Sequence, residues 1–293
     1  MLKQLKLLNS FKKAMLVNLK SELKKARRNK IALGAFNVSS LEALKSIFMS
    51  ASKAKKTIII ETSKGEIAHL IPGLLVKICE KLSEMYQVNY GLHLDRACDF
   101  DLMKECLDAG FNSISAEFGM KTEEENIKLS IRARNLANRY NAALEGVMEV
   151  VPLVYYKHNF QSHMDYTDPL SAKHFIDIVR PDSLVVSIGT QSGRLKSQKE
   201  LRYDILKRLD RVFPDLPFVL HGGSFLSEKV VKKCILHGVS KININSDLRI
   251  AYTNKLKQNI RENEEEYAPY RLLKGVEDEI SKVVLEKIKM FST

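Results

Sequence analysis

The sequence lacks an apolar stretch that could cross a bilayer, and it lacks the continuous apolar segment of a signal peptide. A membrane span needs roughly 20 predominantly apolar residues, whereas lysine interrupts the N-terminal stretch every few residues. Cysteine is scarce, and the four residues show neither metal-ligand nor disulfide-framework spacing: Cys79, Cys98, Cys106 and Cys234. These absences exclude a disulfide-stapled secreted fold and predict a cytoplasmic protein.

A turn of the GxGxxG type is also absent after the first predicted strand. Its absence disfavours an open, doubly wound sheet, which is the competing architecture. The chain shows eight apolar runs that alternate with segments of helical periodicity. The predicted strands are Ile31–Phe36, Thr57–Glu61, Tyr90–Leu94, Asn112–Ala116, Ala143–Val147, Ser183–Ile188, Phe218–Leu220 and Lys241–Ile244. Near-continuous apolar runs are typical of strands covered on both faces. We therefore predict an α/β fold, a single-domain (β/α)8 TIM barrel over residues 15–293, after a basic N-terminal extension over residues 1–14.

Positively charged residues are in excess. The chain has 47 Lys and Arg against 35 Asp and Glu, which gives a formal net charge of +12. Such an excess is typical either of a protein with an anionic partner or of a solubilising surface. Basic and acidic residues are mixed along the chain, as in KSELKKARRNK at residues 20–30. This mixing disfavours a nucleic-acid stripe, and we expect neither nucleic acid nor membrane as a partner.

Polar residues stand at or near the C-terminal end of every predicted strand. They are Asn37, Ser63, Asp95, Glu117, Glu145, Thr190, His221 and Asn245. In a (β/α)8 barrel these ends form the catalytic face. The stretch NYGLHLDR, residues 89–96, combines a short strand with a buried acid, Asp95, and a directly following Arg96. We expect the chemistry to be centred there.

Two glycine- and serine-rich loops follow the seventh and eighth strands. HGGS occupies residues 221–224 and NINSD residues 243–247. Glycine lets backbone N–H groups approach an anion closely, and loops at these positions of the barrel commonly bind phosphate. Gly189 and Gly193 of GTQSG would complete such a cradle. The sequence therefore predicts a phosphate site, although a tight turn alone would also account for the paired glycines.

In their order and spacing, these motifs resemble the class II fructose-bisphosphate / tagatose-bisphosphate aldolase family. The resemblance runs from Met15 to the C-terminus and includes GAFNV (34–38), LHLDR (92–96), LHGGS (220–224) and KININSDLR (241–249). It implies a barrel, commonly dimeric, that cleaves a ketose bisphosphate such as fructose 1,6-bisphosphate into dihydroxyacetone phosphate and an aldehyde. The family uses a divalent metal, because retro-aldol cleavage develops negative charge on the ketone oxygen.

The same resemblance implies roles for individual residues. Asp95 matches the catalytic Asp, and we assign Arg96 a catalytic role beside it. Substrate and phosphate contacts are predicted for Asn37, Ser63, Gly193, Gly222, Gly223, Ser224, Asn243, Asn245 and Ser246. A phosphorylated sugar is the expected ligand and a homodimer the expected assembly.

The departures from the family concern its zinc site. The family holds zinc with three histidines, of which His221 alone remains; Arg96 and Ser192 occupy the other two positions. Val147 stands where the fifth strand of the family carries a second glutamate. Catalytic zinc normally needs three protein ligands, and a guanidinium about 4 Å from a divalent ion would repel it by roughly 8 kcal/mol at an effective dielectric constant near 20. We predict that the ordinary zinc site is absent and that no cofactor is required.

Three interpretations of the site stay open. In the first, the chain is a metal-independent aldolase in which Arg96 replaces the metal and Asp95 is the base. In the second, it is a non-catalytic sugar-phosphate binder or regulatory pseudoenzyme. In the third, a divalent metal has moved to Glu117, Glu145 and His221.

Two further assignments complete these expectations. A Schiff-base mechanism is disfavoured, because Lys64 and Lys196 lie in loops and Lys241 begins its strand at the wrong face of the barrel. His158 or His163, in the loop after the fifth strand, would serve as the acid that the family takes from a segment with no counterpart here.

Overall fold

The computed structural model describes residues 15–148, 153–154, 166–193 and 201–292. Its strands are β1 Leu33–Asn37, β2 Ile58–Thr62, β3 Tyr90–Leu94, β4 Ser113–Glu117, β5 Ala143–Val147, β6 Leu153–Val154, β7 Ser183–Val185, β8 Ser192–Gly193, β9 Phe218–Leu220 and β10 Val239–Ile244. Eight of them close a barrel in the order β1-β2-β3-β4-β5-β7-β9-β10, and β6 pairs with β8 in a separate two-stranded sheet. Every pairing is parallel. The prediction of a (β/α)8 barrel is confirmed.

Helices connect the barrel strands along the chain. They are α1 Leu19–Arg28, α2 Leu41–Ala54, α3 Lys64–Leu70, α4 Pro72–Tyr86, α5 Phe100–Ala109, α6 Glu123–Arg139, α7 Pro169–Val179, α8 Tyr203–Val212, α9 Glu228–Leu236, α10 Ser246–Glu262, α11 Pro269–Leu272 and α12 Val276–Phe291. Several begin after a side chain that accepts a hydrogen bond from the first turn, such as Ser40, Asp99 and Thr122. Among the described residues, no helix has the length and apolar content that a bilayer crossing requires.

The predicted strand boundaries differ from the observed ones by small shifts. β3, β5 and β9 begin and end where predicted, whereas β7 ends at Val185, three residues before its predicted end, although the buried Val186 and Ile188 continue the apolar run. β10 begins two residues earlier than predicted, at Val239. Lys241 therefore lies within this strand and does not begin it.

The lower end of the barrel, where the strands begin, is closed by α1. Leu19 and Leu23 of this helix pack with inward-facing side chains of the strands, among them Leu33 and Ile59. Gly91 permits this approach, since a Cβ there would lie 2.6 Å from the Leu19 side chain. Each buried leucine stabilises the fold by about 1.5–3 kcal/mol. This apolar plug confines the polar interior to the upper half of the barrel, which leads to the mouth.

Gly238 provides a test of the packing below β10. It has a φ of +97°, and a Cβ would lie 1.3 Å from Nη1 of Arg27. The Arg27 guanidinium cannot move away easily, because it is buried and pairs with Asp210 at 2.6 Å. We expect Gly238→Ala to lower the free energy of unfolding in urea by about 3 kcal/mol.

Gly73→Ala is the matched control, because nothing lies within 4 Å of a Cβ at this position in the first turn of α4. Its unfolding free energy should stay within about 1 kcal/mol of the parent value. Equal unfolding midpoints for the two variants would contradict this account of Gly238.

Candidate active site

Asp95 lies at the centre of the mouth, directly after β3. The side-chain amides of Asn37 and Asn243 each donate to one of its carboxylate oxygens, over 3.4 Å. Nε2 of His221 lies 3.9 Å from Oδ1 of Asp95. The ends of β1, β3, β9 and β10 thus bring these four predicted residues together around one buried carboxylate.

The surroundings keep Asp95 ionised. Burial by itself would raise the pKa of this carboxyl group, but the electrostatic influence of His221, Arg96 and Lys241 outweighs burial and lowers the pKa below its usual value. A carboxylate that is ionised at neutral pH is able to accept a proton from a ligand hydroxyl group.

Arg96 points along the mouth and not into bulk solvent. Its guanidinium donates to Oε1 of Glu117 over 2.9 Å, and its side chain is only 17% exposed. Burial raises the pKa of Glu117, against the lowering effect of Arg96. The Arg96 backbone is left-handed, with a φ of 54°, a conformation that costs a non-glycine residue of order 1–3 kcal/mol. Such a strained residue beside a buried acid is typical of functional sites.

Lys241 lies inside the barrel, and its exclusion as a residue at the wrong face was wrong. The ammonium lies 2.6 Å from Oε1 of Glu61 and 2.7 Å from Oε2 of Glu145, and the side chain is buried. The backbone of Lys241 does pair near the lower end, opposite Leu33, but the four-carbon stem carries the ammonium upward. The sequence does contain a sign of this position. Lys241, Asn243 and Asn245 are alternate residues, and alternate residues of a strand share one face.

The side chains of Lys241, Glu145 and Glu61 differ in their ionisation. Burial would lower the pKa of Lys241, but Glu145 and Glu61 outweigh it and raise the pKa, so the amine is ionised. Burial also opposes ionisation of Glu145, yet Lys241 and His93 hold the pKa of Glu145 well below its usual range. For Glu61 burial prevails over Lys241 and raises the pKa well above its usual range. Glu145 is therefore the ionised partner of the lysine.

Two groups of described residues each bring three possible metal ligands within 4.8 Å of one another. They are Glu61, His93 and Asp95, and Asp95, Glu145 and His221. The trio predicted for a relocated metal is divided: Nε2 of His221 lies 3.5 Å from Oε1 of Glu145, whereas Glu117 belongs to neither group and pairs with Arg96.

The predicted phosphate loops meet one another. Gly222 has a φ of +69°, and a Cβ there would lie 2.5 Å from the Gln191 carbonyl oxygen, so this turn requires glycine. The Gly223 N–H donates to the Asn243 carbonyl oxygen over 3.2 Å. The segments after β7 and β9 therefore meet each other and the end of β10, but the Gly223 N–H is already used within the protein.

The C-terminal helix α12 anchors these loops. The Asp247 N–H donates to Oγ of Ser224 over 3.4 Å, and the Asp247 carboxylate accepts from the Phe225 N–H over 3.3 Å. The same carboxylate pairs with the buried Lys287 of α12 at 2.9 Å. Ser246, also a predicted phosphate contact, begins α10 beside them.

Three other predicted contacts bond to a residue that the sequence did not single out. Asn37, Ser63 and Asn245 all donate to the buried carboxylate of Glu66. Gly193 lies in β8, where its backbone pairs with Val154. The side chain of Ser192, together with the remaining assignments His158, His163 and Lys196, lies outside the described residues.

The two glutamates beside Lys241 should respond differently to isosteric substitution. Glu145→Gln removes the ionised partner of a buried ammonium, and we expect the free energy of unfolding at pH 7 to fall by about 3–5 kcal/mol. Glu61→Gln mimics the neutral carboxyl group, and we expect a change within about 1 kcal/mol at pH 5. Urea denaturation measures both.

The pH dependence of the Glu61 variant has a definite sign. A carboxyl group with a raised folded-state pKa destabilises the fold as pH rises through the window above its unfolded pKa, because the native state then holds protons that the unfolded state releases. Stability of Glu61→Gln relative to the parent should therefore increase from pH 5 to pH 8. A decrease over this range would mean that Glu61 is the ionised partner.

Comparison with known proteins places this chain in a family. The family profile described as fructose-bisphosphate aldolase class-II matches residues 17–293. A fructose-bisphosphate aldolase of Mycoplasma genitalium is 30% identical, covering 94% of this chain and 98% of its own length, and one of Giardia intestinalis is 27% identical, covering 95% and 93%. The crystal structure of the YdjI aldolase from Escherichia coli K12 is similar with a TM-score of 0.79 and 26% identity, covering 94% of this chain and 97% of that one. The chain belongs to the class II fructose-bisphosphate aldolase family.

Proposed function

We propose that this protein is an aldolase that cleaves a phosphorylated ketose, such as fructose 1,6-bisphosphate, into dihydroxyacetone phosphate and an aldehyde without the zinc of its family. The observation that carries this proposal is that a base and a fixed cation lie side by side in the mouth of the barrel. Asp95 is buried and ionised, and the guanidinium of the adjacent Arg96 is held by Glu117 at 2.9 Å. Aldolase relatives that match nearly the full length support the reaction class.

The charges of the mouth do not fit a zinc ion. By the resemblance of the motifs, Arg96 and Ser192 stand at two of the three positions where the family has histidine. The group formed by Asp95, Glu145 and His221 is compact, but Lys241 already neutralises Glu145 from 2.7 Å. A divalent ion would share these carboxylates with an ammonium and a guanidinium, both of which repel it. This arrangement supports a site that works with protein cations alone.

The cleavage itself is then divided between two residues. Asp95 takes the proton of the substrate hydroxyl group, the carbon–carbon bond breaks, and its electron pair moves onto the ketone to give an enediolate. A guanidinium N–H of Arg96 donates to the ketone oxygen as it becomes negative. A single charge at about 4 Å stabilises such an oxyanion by roughly 4 kcal/mol at an effective dielectric constant near 20. The aldehyde leaves, and the proton that Asp95 accepted returns to the enediolate carbon, which completes dihydroxyacetone phosphate and restores the Asp95 carboxylate.

A lysine mechanism is disfavoured by the charge of Lys241. Imine formation requires a neutral amine, whereas the carboxylate of Glu145, 2.7 Å from the ammonium, raises the pKa of Lys241 and keeps the amine ionised. We therefore expect that borohydride added with substrate will not trap a covalent adduct. A mass increase on the peptide containing Lys241 would instead establish a Schiff base.

The proposal is tested by measuring dihydroxyacetone phosphate formed from fructose 1,6-bisphosphate after the protein has been treated with a chelator and its metal content measured. Turnover should persist at metal levels far below one ion per chain. Activity that disappears with the chelator and returns with zinc or manganese would establish a metal enzyme. Sugar-phosphate binding without turnover, even at high protein concentration, would favour the regulatory pseudoenzyme.

Substitutions should separate the two roles. We expect Asp95→Asn to lower kcat by about 10²–10⁴-fold, because the amide cannot accept the proton. Arg96→Met should lower kcat by about 10³-fold, the equivalent of roughly 4 kcal/mol, while Arg96→Lys retains part of the activity. Arg139→Met, at the exposed end of α6, changes the net charge equally and should leave kcat unaltered. Unchanged kcat in Arg96→Met would remove the guanidinium from the mechanism.

A further inference from the structure

Glu66 places a protein carboxylate among the donors of the mouth. It lies in the first turn of α3 and is only 5% exposed. Its Oε2 accepts from the Ser63 N–H over 2.8 Å, from Oγ of Ser63 over 2.9 Å and from the Asn37 amide over 3.1 Å. Its Oε1 accepts from Arg249 over 2.6 Å and from the Asn245 amide over 3.4 Å. Five donors from three parts of the chain thus converge on one internal anion.

Helix capping explains only part of this arrangement. Ser63 and Glu66 form a capping box, in which the third helical residue bonds back to the residue before the helix. That motif is local, and it requires neither Asn37 from β1 nor Asn245 and Arg249 from the β10–α10 segment. It also does not require burial, since capping boxes form on exposed helices. The additional donors are those that a bound anion would attract.

The geometry points to Glu66 as an internal competitor for a phosphate group, and we propose that it determines specificity at this end of the mouth. The proposal rests on the proposed function, from which Asn37, Ser63 and Asn245 derive their role as ligand contacts. A phosphate there has to displace the Glu66 carboxylate and recruit the same donors. Arg249, whose side chain is 55% exposed, is free to follow either anion. The present arrangement therefore selects against a phosphate group at this end of the mouth only, so that among phosphorylated ketoses it favours those that carry no charge here over fructose 1,6-bisphosphate.

The decisive variant is Glu66→Gln. Glutamine keeps the oxygen acceptor that a capping box needs, but it removes the negative charge. Calorimetric titration with inorganic phosphate should show at least tenfold tighter binding by Glu66→Gln than by the parent protein. Glu80→Gln, on an exposed part of α4, makes the same change in net charge and should leave the phosphate Kd unaltered.

A purely structural Glu66 predicts the opposite direction. If the carboxylate only holds Asn37, Ser63 and Asn245 in place, its removal disorders the donors, and phosphate binds more weakly or with the same Kd; either result overturns the proposal. The absence of phosphate binding in both proteins also overturns it. Should Glu66→Gln fail to fold, Glu66→Ala is expected to tighten binding in the same direction. These titrations need no turnover, so failure of the aldolase assay does not decide them.

Discussion

The ammonium group of Lys241 determines what the interior of this barrel can contain. An unpaired carboxylate at that depth would destabilise the fold by several kcal/mol. The ammonium of Lys241 offsets this destabilisation by pairing with Glu145 at 2.7 Å. Its charge also acts on its neighbours. It contributes to the lowered pKa of His93, after burial, and to the lowered pKa of Asp95, where it acts together with His221 and Arg96. The ionisation states of the deep layer and of the mouth therefore depend on one lysine that enters from β10.

The mouth of the barrel, closer to solvent, also pairs acidic side chains with cations. Several acids at strand ends or in the following helix turn have a cation from another element: Arg96 for Glu117, Arg249 for Glu66 and Lys287 for Asp247. A guanidinium or ammonium differs from a metal ion in bringing one charge and directed N–H groups, without an open coordination position. In the proposed reaction, negative charge on the ligand is consequently stabilised by single charges that the fold holds in place.

Local patterns in the sequence could predict the barrel and the position of the acid, but not the ion pairs across the barrel. β3 ends within the LHLD motif. Its run of apolar residues was sufficient to predict where the strand begins and ends and that Asp95 is buried. Lys241 was misplaced because its backbone lies low in the barrel while its charge lies higher, a displacement that side-chain length permits and strand periodicity alone does not reveal. Glu66 was not predicted, because its position in the first turn of α3 gives no local sign of the distant donors that it meets. Its partners Asn37 and Arg249 lie 29 and 183 residues away in the chain.

Asp95 is where two requirements of the proposed chemistry oppose each other. The cations that keep the carboxylate ionised also lower its pKa, and each unit of lowered pKa removes about 1.4 kcal/mol of driving force for proton abstraction. Arg96 offsets this loss one step later, because the negative charge that leaves the Asp95 carboxylate appears on the ketone oxygen, where the same guanidinium stabilises it. Its bond to Glu117 fixes the guanidinium in position for both steps. A weak base is therefore sufficient, provided that the cation beside it does not move between proton abstraction and bond cleavage.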